Sequence, residues 1–413
     1  SWGQYDYILA HGLYSWVPSE VRDKIMRICQ KNLRAEGIAF ISYNALPGAH
    51  LRLMLREMML FHVRNTPSPE EKLEQATALL SFLEKGQAKA DDEYAVWLHK
   101  ELERTLNLDR SHLFHDDLAG VNHPVYFHQF MAHAAQFNLQ FLGEADFFEM
   151  SDHIYAPAVR EALTGTAADR ILREQYLDFL KCRRFRQTLL CRKEVKLRRE
   201  ADPSAVTKFY ISSKAKEQKS GGEKRASAAN DSPEQETVHY RTAKGAQVQT
   251  DYLPGRLILK VLEEAAPARV SFQELLQSVR AEVQEVKTEE IGGFLLNLFS
   301  AGVVEFKTHG AAAARAAGPR PQTSPVARWQ VERSDTVTSL DHQLLEVEDE
   351  IGKQLIRSLD GTKNRAQIAD ELLAFLKARG ALKDEEDQAL RAKIERELEA
   401  NLAKLARLGM LIA

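Results

Sequence analysis

Apolar and polar positions change period several times along the chain, and each change marks an element boundary. Tyr5-Asp6-Tyr7-Ile8-Leu9-Ala10 reads as a buried strand, a short apolar run that His11-Gly12 ends, which fits a parallel strand running into a loop. Pro18-Ser19-Glu20 opens a helix with Ser19 as its candidate N-cap. Val21, Ile25, Ile28 and Leu33 form its apolar stripe, and Gly37 is expected to close it. Ile38 to Asn44 reads as the next strand. Strand, helix and strand within about forty residues predict a βαβ crossover, the unit of a parallel α/β sheet.

Beyond a Pro47-Gly48 turn, a helix is expected over Leu51 to Val63, and Thr66-Pro67-Ser68-Pro69-Glu70 caps another. Helical spacing persists to about Gln136. Strand-like runs return at Leu139 to Gly143 and Phe185 to Cys191, with a helix over residues 168–180 between them. Both are expected to rejoin the first sheet. Residues 1–66 and 136–211 then form one α/β unit, and 67–135 a helical insert. Ser212 to Glu236, rich in Ser, Lys, Glu and Gly, reads as a disordered linker (212–236), and an Ala-rich stretch as a second (309–325). Residues 237–308 and 326–413 repeat one scheme: three helices, then a glycine and a short strand. That scheme suggests two winged-helix-like modules.

Composition narrows the function classes. At about 100–200 residues per domain, 413 residues predict two to four domains. With 44% hydrophobic and 28% charged residues, a wholly disordered chain is excluded. A net charge of −3 argues against a dedicated nucleic-acid binder. The modules repel phosphate too: residues 252–308 hold six basic and eight acidic residues, and 341–413 hold twelve and fifteen. No apolar run approaches a membrane span. Three cysteines are too few and too odd in number for a disulfide framework, so a reducing cytoplasm is expected. The chain starts without Met and meets a parallel strand at once, which predicts a fragment of a longer protein.

Candidate chemistry gathers at the strand ends, where ligands sit in open parallel sheets. The loop His11-Gly12-Leu13-Tyr14-Ser15-Trp16-Val17-Pro18 follows the first strand and Tyr43-Asn44 ends the second. Together they bring His11, Tyr14, Trp16, Tyr43 and Asn44 to one edge; alternatively, Tyr14 and Trp16 merely pack the strand-to-helix junction. His112-x-x-His115-Asp116-Asp117 lacks a second ligand cluster and reads as a solvated loop, so no metal is expected. His123, His128 and His133 read as packing or cap residues. The basic run Lys181 to Arg199 fits either attraction of an acidic partner or an edge strand guarded by charge.

These residues carry a resemblance. Tyr5-Asp6-Tyr7-Ile8-x-x-His11-Gly12-x-Tyr14-Ser15-Trp16-Val17-Pro18 resembles the fourth-strand segment of bacterial class I methyltransferases that bear a methyltransferase regulatory domain, a family including rickettsial-type protein-lysine methyltransferases. Ile41-Ser42-Tyr43-Asn44-x-x-Pro47-Gly48 resembles its fifth strand, and Leu55 to His62 its next helix. Asn122 to Phe130, followed by Leu139 to Ala145, is similar to the regulatory domain, and Arg184 to Cys191 to the strand after it. Leu359-Asp360-Gly361-Thr362 resembles the family's winged-helix module.

The resemblance implies a partial Rossmann-like methyltransferase sheet with a helical insert and two C-terminal winged-helix-like modules: α/β plus α. It implies S-adenosylmethionine as cofactor and a protein lysine as methyl acceptor. It also implies that the main cofactor-binding half lies outside this chain, since no Gly-rich turn or acidic residue of that kind precedes His11. The fragment alone is then expected to be inactive, its sheet left with an exposed face or edge. Methylating lysine requires desolvating a neutral amine and aligning it on the sulfonium methyl, for which aromatic walls are suited. Tyr14 and Trp16 are expected to form that wall, His11 and Gly12 to lie beside the methyl donor, and Tyr43 and Asn44 to bind the substrate. The rival expectation is a non-catalytic interaction protein, a degenerate methyltransferase whose insert and modules bind another protein.

Overall fold

β1 (Tyr5–Ala10) pairs parallel with β2 (Leu33–Asn44), and α1 (Ser19–Asn32) crosses between them. These coordinates come from a computed structural model. They describe residues 2–87, 92–107, 113–152, 154–165, 169–198, 201–218, 237–243, 245–310, 313–379 and 387–412. The chain divides into two units, residues 1–199 and 200–413.

In the first unit the crossover forms where expected, but its boundaries shift. Pro18 occupies the cap position of α1, and Ser19 is the first helical residue. The helix ends at Asn32, and Gly37 lies inside β2, where the register with β1 slips between Tyr5 and Tyr7. A side chain at Gly37 would meet the Tyr5 carbonyl at 3.0 Å, so the residue serves the bulge rather than a helix cap. β3 (Leu139–Glu144) and β4 (Phe185–Arg192) do rejoin this sheet, in the order β1-β2-β4-β3. β4 runs antiparallel to both neighbours, so the sheet is mixed rather than parallel.

One face of β2 presents Ala39, Ile41 and Tyr43 to α1 and α5 (Phe127–Gln136), where Met26, Cys29, Phe127 and Phe130 complete a buried core. β1 is not the buried strand expected: it lies at the sheet edge, with one neighbour only, and Tyr7 and Leu9 are 68% and 72% exposed. α2 (Ala49–His62), from the stretch assigned to the α/β unit, packs with α3 (Pro69–Gly86) and α4 (Glu93–Leu106), which lie in the stretch 67–135, through Leu55, Met59, Leu80 and Leu98. Ser68 caps α3, accepting the Glu71 amide. The stretch read as a solvated loop is instead anchored: Asp117 is buried and takes both arms of Arg52 at 2.7 and 2.9 Å. His112 lies outside the described residues.

Part of the basic run, Arg183 and Arg186, is spent inside the fold, while Lys193 and Lys196 are exposed. β4 is central, not an edge, so charge there needs partners rather than solvent. Arg186 is fully buried, with Nε 2.9 Å from Asp178 and Nη2 3.1 Å from Glu174, while Nη1 reaches Glu144. Its guanidinium lies 3.9 Å over the Phe127 ring. The carboxylates come from α7 (Arg170–Lys181) and β3, while α6 (Pro157–Gly165) precedes α7. Burial opposes the Arg186 charge, but Glu144, Tyr43 and Asp178 outweigh it and raise its pKa. Burial pushes the Glu174 carboxyl up.

In the second unit, β5 (Tyr210–Ser213) lies between β10 (Val304–Lys307) and β9 (Val270–Ser271). α8 (Leu253–Ala265), α9 (Phe272–Glu282) and α10 (Thr288–Ser300) cover that sheet through Ile258, Phe272, Leu275 and Leu295. A small sheet of β6 (Lys216–Glu217), β7 (Val238–Arg241) and β8 (Gln247–Thr250) stands at the expected linker's margins; residues 219–236 of that linker lie outside the described residues.

The second module comprises α11 (Pro325–Gln330), a hairpin of β11 (Thr336–Thr338) and β12 (Leu344–Glu346), and the helices α12 (Glu350–Ser358), α13 (Arg365–Ala378) and α14 (Asp387–Arg407). The expected linker at 309–325 is part of this module. Ala313 bridges Ile412, Thr323 bridges Leu411, and both residues are buried. Alanine side chains let this segment lie close against the helices, where Ala314 and Ala317 pack on the core. Among the described residues, no helix is long and apolar enough to cross a membrane.

Replacing Arg186 with Met removes a cation shared by three buried carboxylates, of which Asp178 keeps Arg183 at 2.6 Å and Glu174 keeps Arg173 at 3.4 Å. We expect Arg186→Met to lower unfolding free energy by about 3–5 kcal/mol, measured by urea denaturation. Loss below about 1 kcal/mol would show that the cluster does not hold β3, β4 and α7 together.

Candidate active site at the strand ends

The site is built where β1 and β2 end side by side. The chain leaves β1 through Gly12, whose φ of +62° lies in the left-handed region, with open space where a side chain would stand. Ser42 on β2 secures this turn: its buried Oγ accepts the Gly12 amide at 2.8 Å and lies 3.0 Å from His11 Nδ1. The exposed His11 ring stands 5.8 Å from Phe40 and meets Phe185 edge-on at 6.2 Å.

A 3₁₀ turn over Tyr14–Trp16 follows. Ser15 is buried and binds in two directions: its Oγ accepts the Asn44 amide at 2.8 Å, and its carbonyl accepts the His123 amide at 2.8 Å. Asn44 Nδ2 donates to Asn122 Oδ1 at 3.1 Å, and its carbonyl accepts the Val125 amide at 3.1 Å. Gly48 allows the next turn to close: a side chain there would come within 2.1 Å of the Cys182 carbonyl. The Gly48 amide donates to the Arg183 carbonyl at 2.9 Å, joining the end of β2 to the approach to β4.

The five expected catalytic residues separate into two layers. His11 is exposed, Trp16 and Asn44 are half-buried, and all three stand at the loop edge with Gly12. Tyr14 and Tyr43 are 2% and 1% exposed and belong to the core. The junction-packing alternative therefore describes Tyr14, whose ring meets Phe130 at 5.1 Å and Tyr43 at 5.8 Å. Its hydroxyl lies 2.8 Å from His133 Nδ1, and His133 Nε2 lies 3.0 Å from Asp23. Burial pushes the Tyr14 phenol up to about 12. Tyr43 stacks on Phe130 at 4.1 Å and meets the Thr188 hydroxyl at 3.1 Å; burial raises its phenol well above the ordinary value. Two apolar-packed phenols form a floor, not an open wall.

Ser42, Ser15 and Asn122 were not among the expected site residues. Their short polar side chains add nothing to hydrophobic periodicity. A serine among the apolar residues Phe40, Ile41 and Tyr43 is the local cue for Ser42, since a buried hydroxyl requires a partner. His128 lies 2.9 Å from Gln175 Oε1 and stacks on Tyr126, a packing role like that of His133. Among the described residues, no group of three or more His, Cys, Asp or Glu side chains is arranged to hold a metal.

Known proteins share this architecture. The family model "Predicted methyltransferase regulatory domain" matches residues 109–192, and "PKMT, C-terminal winged helix domain" matches residues 319–410. The first match runs through β3 and β4, beyond the helical stretch 67–135 expected to hold the regulatory part. The Rickettsia prowazekii (strain Madrid E) protein RP789 is 30% identical over 408 residues, covering 97% of this chain and 73% of RP789. The chain belongs to this bacterial methyltransferase family.

Solved structures agree with the assignment. PKMT2 from Rickettsia typhi superposes with a TM-score of 0.83 at 26% identity, covering 100% of this chain and 82% of PKMT2. A second PKMT2 structure, in complex with AdoHcy, matches with the same TM-score at 25% identity. These matches take in the whole of this methyltransferase chain. They lend no support to the expectations of an absent cofactor-binding half and an inactive fragment.

Two outcomes follow for the methyltransferase's strand-end loop. Ser42→Ala leaves the Gly12 amide without its acceptor, and we expect faster hydrogen exchange at Gly12 with stability reduced by about 1–3 kcal/mol. The Tyr14 phenol titrates near 12 when folded against 10.0 ordinarily, so its contribution is complete below pH 10 and lost as pH rises toward 12. Tyr14→Phe is expected to flatten that alkaline decline, measured by urea denaturation between pH 9 and pH 12 at about half-unit steps.

Proposed function

We propose that this protein transfers a methyl group from S-adenosylmethionine to lysine side chains of proteins. The observation that carries the reading is the likeness over the whole chain to PKMT2, solved in complex with AdoHcy. The strand-end geometry suits such a reaction. Gly12 leaves open space beside the β1 terminus, so a cofactor can approach the backbone there, and the adjacent His11 is exposed. The bound cofactor supplies an electrophilic methyl on a sulfonium.

The chain's own residues then have distinct tasks. Trp16 offers an aromatic surface that excludes water from the arriving amine and attracts its cationic form. The Asn44 carboxamide, steadied by Asn122, can bind the polar backbone or amine of the substrate. His11 stands within the same loop as a proton acceptor for an amine that must be neutral to attack. Ser42 fixes its ring, and Tyr14 and Tyr43 hold the loop from behind. A chain with only three cysteines, Cys29, Cys182 and Cys191, suits the reducing cytoplasm.

The test uses tritiated S-adenosylmethionine and a lysine-rich acceptor protein, followed by acid hydrolysis and analysis for methyllysines. We expect tritium in methyllysine, and a fall in turnover of at least about tenfold for Trp16→Ala or Asn44→Ala, the scale of lost positioning. Label in another amino acid would overturn the lysine assignment. Absence of AdoHcy binding by calorimetry together with absence of label would favour the non-catalytic interaction protein.

A further inference from the structure

The C-terminal module keeps a cavity that its own residues leave unfilled. It measures about 190 Å³ and lies between α12, α13, α14 and the β11–β12 hairpin. Leu355, Leu372 and Leu398 line it from one hydrophobic cluster, and Val337, Ile356 and Met410 from another. Interiors normally close such gaps, because each lost contact lowers stability. An apolar cavity of about 150 Å³ accepts a benzene-sized guest, so this one has room for a leucine- or methionine-sized side chain.

The rim shows what kind of chain would deliver that side chain. Glu397, Asn401 and Lys404 follow at helical spacing on α14 and, with Leu408 just after its end, form one lip, all exposed. Glu346 and Asp349, within the acidic stretch Glu346-Val347-Glu348-Asp349-Glu350, and Ile351 directly after it form the other. Apolar Ile351 and Leu408 are 45% and 38% exposed at the mouth. Three carboxylates against one lysine give the lining a negative excess around an apolar floor. A nucleic acid or an acidic peptide would be repelled, and a lipid tail would bring no cation to the rim.

We propose that this cavity is a docking site for a basic protein segment, which inserts one leucine-sized side chain while flanking lysines or arginines pair with Glu346 and Glu397. The site stands apart in sequence from the strand-end loop and does not depend on methyl transfer. If the proposed lysine methylation holds as well, the same segment chemistry describes a lysine-rich substrate. The apolar anchor confers affinity, and the acidic rim selects partners and adds salt dependence.

The experiment uses the full chain and a fluorescein-labelled peptide with one central leucine between paired lysines, read by fluorescence anisotropy. Two control peptides replace the leucine with alanine or the lysines with glutamates. We expect saturable binding of the leucine peptide, weakened at least about tenfold by either replacement, equal to about 1.4 kcal/mol. The double variant Glu346→Lys, Glu397→Lys changes only exposed positions and should weaken binding by a similar factor. Leu376→Phe, which narrows the cavity, should abolish the preference for leucine over alanine. Equal binding of the leucine and alanine peptides, unchanged binding by the double variant, or no binding at millimolar protein would each overturn the proposal. Methyl transfer measured in parallel on the variants keeps failure of this site distinct from failure of the catalytic reading.

Discussion

The charge of Arg186 organises the first unit. Arg186 stands on a central strand with no route to water, so it must be surrounded by acceptors, and those acceptors come from other elements. Asp178 and Glu174 bring α7 onto the sheet, Glu144 brings β3, and the Phe127 ring brings α5. The Glu144 carboxylate also accepts from the Thr188 hydroxyl at 2.9 Å, and Thr188 meets Tyr43 on β2. Burying so much charge is costly unless every partner is present, so the arrangement forms as a set. It also fixes the β2–β4 register, which places Asn44 opposite Phe185 at the edge where the loop folds over.

Strands and helices were legible in the sequence wherever one face is buried and the other is not. The runs read at Tyr5 to Ala10, Leu139 to Gly143 and Phe185 to Cys191 fall on β1, β3 and β4 to within one residue at each end. Strand direction was not legible, since a period of two is the same for parallel and antiparallel neighbours. Gly37 misled because a glycine after a helical stripe looks the same whether it closes a helix or relieves a bulge. The stretch around Ala313 misled because low side-chain volume reads as flexibility, while here it permits close packing. The basic run misled because pairing partners such as Asp178 and Glu144 are not visible as partners until the chain folds.

At the site, residue types were easier to find than their orientation. His11, Trp16 and Asn44 stand at the loop edge; Tyr14 and Tyr43 share their neighbourhood in sequence yet turn inward. An aromatic residue near a strand end satisfies burial or exposure equally well, and only the Phe130 ring and the His133–Asp23 pair decide it here. Ser15 and Ser42 escaped notice for the opposite reason: their contribution is a directed hydrogen bond, which leaves no trace in hydrophobicity.

The separation of this loop into a packed floor and an open rim has an evolutionary consequence. Changes at Tyr14 or Tyr43 propagate into α1, α5 and β4, so drift there is constrained by folding. Leu13, 40% exposed, carries no such packing constraint. An exposed rim position such as Leu13 can therefore change without renegotiating the stability of the floor beneath it. Divergence among relatives should accumulate at that rim first.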